Sequence, residues 1–485
     1  MLSSIAKVII GMIGQEILFL ADLPVIFFLY PWLIKKAYLN TSSTWFKGFI
    51  VIFVMGLLLN IPSIAYNAFH ANHYESFFER KQFVRLTGIV TYQVFDIYNY
   101  LKTQIKKTRV SQADTELTKD FLNNKHKEAT EIDLKERGQG FNLIVIQVES
   151  LQNFVIGMKW KGNEVTPNLN RLVKTGIYFN EIYDQTWAGN TSDATFLSNC
   201  SLYPSRRGAV SFLYAQNDYY CLPRILREQG YTTATMHAYK STYWNRSVFE
   251  KALGFEHQFY EGSYSKEDQL GWGLSDKRFF SQSIEKIGDL PSPFYVLLTT
   301  LTTHVPFDDV TAKIDNFSLG DIEGTLIGNY LRSMHYVDSA IGELLGKLSD
   351  ITLISTTIIA IYGDHRARFE ENDLKLVGIN NMDEIRIIPI IIRIPNKNYG
   401  YKVASIGGLI DFVPTISNIL GIDISDTVFL GKDLVNQSNN FVIFRDGSYI
   451  SKDKHIDKDY IQKQLSISDL IIEKDLMKTI RNEKS

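Results

Sequence analysis

Apolar residues are unevenly spread along the chain, and their spacing divides it into three stretches. Residues 14–34 and 46–66 are dominated by Leu, Ile, Val and Phe, and each has the ~20-residue length that a helix needs to cross a bilayer. Two such segments in succession, without a small-residue cleavage site, do not fit a removable leader. The short loop between them carries Lys35, Lys36 and Lys47, which places the loop in the cytoplasm and everything after residue 66 outside. Arg80, Lys81 and Arg85 pull weakly the other way. Residues 67–103 are rich in aromatics and read as a juxtamembrane helical segment. Residues 104–138 are charged, with no apolar stripe long enough to build a core, and read as a solvated helical linker.

From Phe141 the pattern changes. Short apolar runs at 142–148 (NLIVIQV), 294–299, 354–362 and 387–394 alternate with helical stretches at 168–175, 222–229 and 327–348. An unbroken apolar run of this length is the signature of a strand buried on both faces. Strands alternating with helices predict an α/β sandwich: a mostly parallel central sheet flanked by helices, preceded by the N-terminal membrane anchor. The expected organisation is therefore 1–66 anchor, 67–138 connector and 139–485 extracytoplasmic catalytic domain.

Composition changes this picture little. The chain is 45% hydrophobic and 21% charged with a net charge of −2, so it lacks the basic balance of a nucleic-acid binder. Two cysteines, Cys200 and Cys221, are too few for a disulfide framework or a cysteine-built zinc site. They are expected to be unpaired small residues, with pairing left open by an extracytoplasmic location.

Ligands in such sheets bind at the carboxyl ends of the strands, so the polar residues closing the apolar runs carry the candidate chemistry. Glu149 follows the first run, Asp364-His365 follows IIAIYG, and Thr302-Thr303-His304 follows YVLLTTL. Carboxylate and imidazole ligands together predict a divalent metal site. A fourth element, Gly189-Asn190-Thr191-Ser192-Asp193, leads from a polar turn into an apolar helix. A hydroxyl at that helix start lies beside free backbone amides, where phosphate oxygens bind. It is either a nucleophile activated by the metal or a plain N-cap.

Taken in order, NLIVIQVES (142–150), VTPNLNRL (165–172), NTSDATFLSNCSLYPS (190–205), MHAYKSTYWNRSVFEKALGF (236–255), TLTTHVPF (300–307) and YGDH (362–365) resemble the lipoteichoic acid synthase family of the alkaline phosphatase and sulfatase superfamily. IIRIPN, DFVPTISNILGI and LGKDL continue the resemblance to residue 434. The resemblance implies that Glu149, Thr191, Asp364 and His365 hold one ion, Mn2+ first and Mg2+ or Zn2+ otherwise, with Thr191 also the nucleophile. It implies that His237, Trp244 and Arg246 line the pocket for a glycerol phosphate headgroup, and that His304 moves a proton or binds the phosphate. The implied donor is phosphatidylglycerol. The acceptor is a teichoic-acid-type polymer, a glycolipid or a surface polysaccharide.

Two departures stand out. The anchor has two helices where the family usually has more, and YGDH continues as Arg366-Ala367-Arg368-Phe369 rather than with the family's tyrosine-glycine type of sequence. The two arginines are candidates for contact with a second anionic group. Sulfatase activity is set aside, because Leu202 stands where the modified nucleophile of a sulfatase would be. A phosphoethanolamine transferase and an inactive membrane-anchored binding protein are the alternatives.

Overall fold

The computed structural model describes residues 111–123, 134–308, 317–435, 441–452 and 455–482, with the isolated positions 97, 105 and 107. The chain divides into two compact units, residues 1–108 and 109–485. The membrane helices expected over 14–34 and 46–66 lie outside the described residues. Among the described residues, no helix is long and apolar enough to cross a membrane.

The second unit opens with helix α1 (Gln112–Asn123). Strand β1 (Asn142–Val148) is followed by α2 (Pro167–Thr175) and β2 (Ile177–Tyr183). Helices α3 (Thr191–Cys200) and α4 (Leu222–Glu228) lead into β3 (Thr232–Met236). Next come α5 (Arg246–Leu253), β4 (His257–Phe259), α6 (Asp276–Gly288) and β5 (Phe294–Thr299). The long α7 (Leu326–Asp350) precedes β6 (Thr357–Gly363) and β7 (Ile387–Arg393). The short strands β8 (Tyr401–Val403) and β9 (Gly407–Gly408) and the helices α8 (Phe412–Leu420) and α9 (Lys458–Lys474) follow.

The strands form one sheet in the order β8-β2-β7-β6-β1-β5-β3-β4, with β9 on β2. Strand β7 runs antiparallel to both its neighbours, β6 and β2, and the remaining pairings are parallel. The alternation along β1 explains why its seven residues are all apolar or buried. Leu143 and Val145 enter the core on one face, whereas Ile144, Ile146 and Val148 enter the core on the other. Both faces are covered by helices, as a parallel sheet requires. The register sets Gln147 between Tyr362 on β6 and Thr299 on β5. The residues that close these three central strands therefore emerge side by side.

Two expectations change. The cysteines are not unpaired: Cys200, the last residue of α3, is bonded to Cys221, which immediately precedes α4, with a Cα–Cα distance of 4.5 Å. The excursion between them returns the chain to the end of α3, a tertiary event that the 21-residue spacing alone does not reveal. The linker expected to be wholly solvated also buries one face. Thr115, Thr118 and Phe121 of α1 are buried; Phe121 packs on Tyr460 at 6.0 Å, and Asp114 pairs with Lys474 at 3.1 Å.

Candidate active site

Strand β1 ends at Val148, and the next residue, Glu149, is buried with its backbone amide donating to Thr300 Oγ1 (2.9 Å). Across the β1–β6 pair, the Asp364 amide donates to the Val148 carbonyl (3.2 Å). Asp364 Oδ1 accepts the amides of Ser150 (2.8 Å) and His365 (2.7 Å). His365 Nε2 then lies 3.2 Å from Glu149 Oε1 and 3.5 Å from Asp364 Oδ2. Donor atoms of Glu149, Asp364 and His365 all fall within 4.8 Å of one another.

Thr191 is brought to this cluster by α3. It is the first residue of the helix, and Asn190 is the N-cap. Its hydroxyl is 3.2 Å from Glu149 Oε2 and donates to that carboxylate, so the cap role left open by the sequence is not the one it plays. Gln147 locks the helix to the sheet. Its Nε2 donates to the Thr191 carbonyl (3.0 Å), and its Oε1 accepts from Thr195 (3.1 Å) and Tyr362 (3.0 Å). Asp193 shapes the approach from the other side, its Oδ2 accepting the amides of Trp187 (3.0 Å) and Gly189 (2.7 Å). A Cβ at position 189 would lie 2.2 Å from Asp193 Oδ1, so any other residue there would displace this carboxylate. Neither Gln147 nor Asp193 was singled out by the sequence, although Asp193 stands two residues beyond Thr191 in the same motif.

Electrostatics mark the cluster as unusual. Burial alone would raise Glu149, but His365 beside it holds the carboxylate down at about 2. Burial, reinforced by the Glu149 charge, pushes Asp364 up to about 8. Burial opposes charging of His365, yet the two carboxylates win and raise its pKa. The two acids move in opposite directions because they share one imidazole, and two adjacent buried carboxylates do not both ionise without added positive charge. A cation suits this arrangement. Asp364 Oδ2 is buried and accepts no hydrogen bond among the described residues. Two carboxylates, an imidazole and a hydroxyl are donors of the kind that bind Mn2+, Mg2+ or Zn2+.

The other predicted residues surround this cluster from several elements. His237 is buried after β3, with Nδ1 3.0 Å from the Thr299 carbonyl. A carbonyl accepts only, so Nδ1 carries the proton and Nε2 the lone pair. Burial and the Arg246 charge depress the ring to about 3 and keep it neutral. Arg246 is buried at the start of α5 and paired with Glu250 (2.7 Å). Glu250, also missed by the sequence, is fixed by the hydroxyls of Thr235 and Tyr260, each at 2.9 Å. Trp244 is buried with φ +54°. His304 is half-buried, with its ring centroid 3.8 Å from that of Trp272. Both arginines after YGDH are exposed; Arg366 lies 3.9 Å from Asp184 and donates its amide to the same carboxylate (3.1 Å).

A metal-suited acid–histidine cluster at the carboxyl end of a parallel sheet, facing a hydroxyl at a helix start, defines an enzyme of the alkaline phosphatase and sulfatase class. The sulfatase family profile matches residues 141–422. The chain is 30% identical over 476 residues to lipoteichoic acid synthase 2 of Bacillus subtilis, covering 90% of this chain and 72% of the relative. It is 32% identical over 447 residues to lipoteichoic acid synthase of Staphylococcus aureus, covering 84% and 68%. Among solved structures, lipoteichoic acid synthase LtaP from Listeria monocytogenes superimposes with a TM-score of 0.66 at 26% identity, covering 75% of this chain and 98% of that one. The chain belongs to the lipoteichoic acid synthase family. It is a phosphotransferase.

Proposed function

We propose that the protein transfers glycerol phosphate from phosphatidylglycerol to a cell-envelope acceptor through a phospho-threonine at Thr191. The observation that carries this reading is the Thr191 hydroxyl, 3.2 Å from Glu149 within a cluster of buried acid and imidazole donors. Glu149, Asp364, His365 and the Thr191 oxygen would hold one divalent cation, Mn2+ in the first instance. When bound, its charge would lower the threonine pKa and counterbalance the phosphoryl oxygens.

The chain's own residues account for the rest. Thr191 Oγ1 attacks phosphorus, the bond to the diacylglycerol oxygen breaks, and diacylglycerol leaves with a proton. An acceptor hydroxyl then attacks the same phosphorus, gives up its proton and releases the Thr191 oxygen. His304, half-buried, would carry these protons. Arg246, held by Glu250, presents a fixed guanidinium to the phosphate. The lone pair on His237 Nε2 accepts from a hydroxyl of the glycerol headgroup. Arg368 is the more available of the two arginines for a second anionic group, because Arg366 already faces Asp184. Residues 14–34 and 46–66 would anchor the enzyme in the cell membrane with residues 139–485 outside. A lipid donor confined to that surface then meets an oriented site. The disulfide supports this location, since such bonds persist in oxidising compartments.

The test incubates the full-length protein with fluorescent phosphatidylglycerol and Mn2+, beside Thr191→Ala and a chelated sample. Release of labelled diacylglycerol by the parent protein alone is expected. Release by Thr191→Ala at the parent rate would sink the threonine intermediate. Release from labelled phosphatidylethanolamine but not phosphatidylglycerol would reassign the donor.

A further inference from the structure

Three threonines crowd the loop that carries His304, and the phosphotransfer reading gives none of them a role. Thr300, Thr302 and Thr303 are each at most 2% exposed, so each hydroxyl needs a partner inside the protein. Thr302 is bonded to α6: its Oγ1 accepts the amide of Asp276 (2.9 Å). Asp276 in turn accepts the amides of Leu301 (2.9 Å) and Thr302 (3.2 Å), and this exchange ties the loop down. The other two threonines are bonded to Glu149. Thr300 Oγ1 accepts its amide (2.9 Å), and Thr303 Oγ1 donates to its carbonyl (2.6 Å).

The peptide they hold is a strained one. Ser150, the residue after Glu149, has φ +58°, a left-handed conformation that a residue with a Cβ keeps only where its surroundings impose it. Here the surroundings are side chains from other parts of the fold. The Ser150 amide donates to Asp364 Oδ1 (2.8 Å), and the Ser150 carbonyl accepts from the Tyr330 hydroxyl of α7 (3.0 Å). That hydroxyl also accepts the Gln152 amide (3.0 Å). With Thr300 and Thr303, all four main-chain polar groups of Glu149 and Ser150 are bonded to side chains, just past the end of β1. The turn matters because the two oxygens of Glu149 have different partners. Oε2 accepts from Thr191 (3.2 Å), whereas Oε1 lies 3.2 Å from His365 Nε2 and accepts from Ser150 Oγ (2.9 Å). Rotating the peptide after Glu149 would carry both oxygens off these partners. The Glu149 carbonyl belongs to that peptide, and Thr303 is the residue bonded to it.

We propose that Thr303 is a positioning residue for the divalent-cation site: its hydroxyl, by donating to the Glu149 carbonyl, holds the Glu149-Ser150 turn so that the Glu149 carboxylate faces the ion. Thr303 acts through Glu149 and is not itself a ligand. The inference rests on the metal assignment made above and deepens it. The same loop carries His304, whose amide donates to the Leu301 carbonyl (3.2 Å). One loop therefore fixes both the ion-binding carboxylate and the residue proposed to carry protons.

The test uses the full-length protein in detergent, stripped of metal with a chelator and without donor. Mn2+ is titrated in, and the free ion is read by electron paramagnetic resonance. Thr303→Val keeps the side-chain shape and removes the hydroxyl; it is expected to weaken Mn2+ binding roughly tenfold. Thr303→Ser restores the donor and should recover most of the affinity. Tyr330→Phe releases the Ser150 carbonyl on the other side of the turn and should weaken Mn2+ binding in the same direction. Thr302→Val removes an equally buried hydroxyl from the same loop without touching Glu149. It should lower the urea midpoint, as Thr303→Val does, yet keep parental Mn2+ affinity. Parental Mn2+ affinity in Thr303→Val overturns the proposal. So does an equal loss in Thr302→Val, or a Thr303→Ser as weak as Thr303→Val, since either marks a packing defect. A parent protein that binds none of Mn2+, Mg2+ and Zn2+ overturns it together with the metal assignment. A failed donor assay beside the expected Mn2+ results removes only the phosphatidylglycerol assignment and leaves Thr303 in its role.

Discussion

Replacing Asp193 separates the geometry that presents Thr191 from the chemistry at its oxygen. Asp193 is buried in the first turn of α3, and its Oδ2 accepts the amides of Trp187 and Gly189. Alanine would leave these two amides without an acceptor inside the protein. An unsatisfied buried amide costs about 1–3 kcal/mol, so Asp193→Ala is expected to lose roughly 3 kcal/mol of stability if the loop stays, or less if it relaxes toward water. Relaxation carries its own penalty, because the loop sets where α3 begins, and a displacement of ~1 Å at a reacting atom lowers rate by about a hundredfold. Asparagine keeps one oxygen acceptor in nearly the same place and is expected to retain most of both. The assay pairs urea denaturation with the initial rate of diacylglycerol release from fluorescent phosphatidylglycerol. The expected order in both measurements is parent, then Asn, then Ala. An alanine variant with parental stability and parental rate would refute the claim that this carboxylate fixes the loop.

Asp276 gives a pH signature from a carboxylate that is not itself one of the cluster's donors. Burial raises its carboxyl from the ordinary 3.8 to about 6, so the folded protein holds this proton more tightly than the unfolded chain. The resulting contribution, at most about 3 kcal/mol, is complete below pH 3.8 and is lost as pH rises through about 6. The stability of the parent minus that of Asp276→Asn should therefore be larger at pH 4 than at pH 8 in denaturant titrations; a pH-independent difference would contradict it. Opening the Cys200–Cys221 bond with Cys221→Ser frees a 21-residue separation and should cost about 3 kcal/mol by chain entropy. An unchanged denaturation midpoint would count against that account. Fragment 109–485 is expected to be more stable than 139–485, by roughly 2–3 kcal/mol for the burial of Phe121 alone. Equal melting temperatures would mean that α1 is only resting on the surface.

The parts of the molecule visible in its sequence are those set by local pattern. Strands 142–148 and 294–299 are found where the apolar runs lie, because a strand buried on both faces has no polar positions to obscure it. The run at 354–362 is displaced, since Leu353–Ser355 form a helical turn before β6 begins at Thr357. Strands β2 (IYFNEIY) and β3 (TTATM) were not foreseen: each mixes polar residues into the run, and Thr233 and Thr235 are buried by tertiary packing rather than by their own apolarity. The antiparallel course of β7 is likewise invisible, because IIPIIIR reads the same in either direction along the sheet.

The same distinction holds at the site. Glu149, Asp364 and His365 were readable because each closes an apolar run, and the parallel register of β1 and β6 then brings them together. Asp193, Gln147 and Glu250 were not, because what each does depends on partners elsewhere in the fold: loop amides, a neighbouring helix and a guanidinium. The residues readable in sequence are those proposed to touch phosphate and metal; those hidden from it orient them.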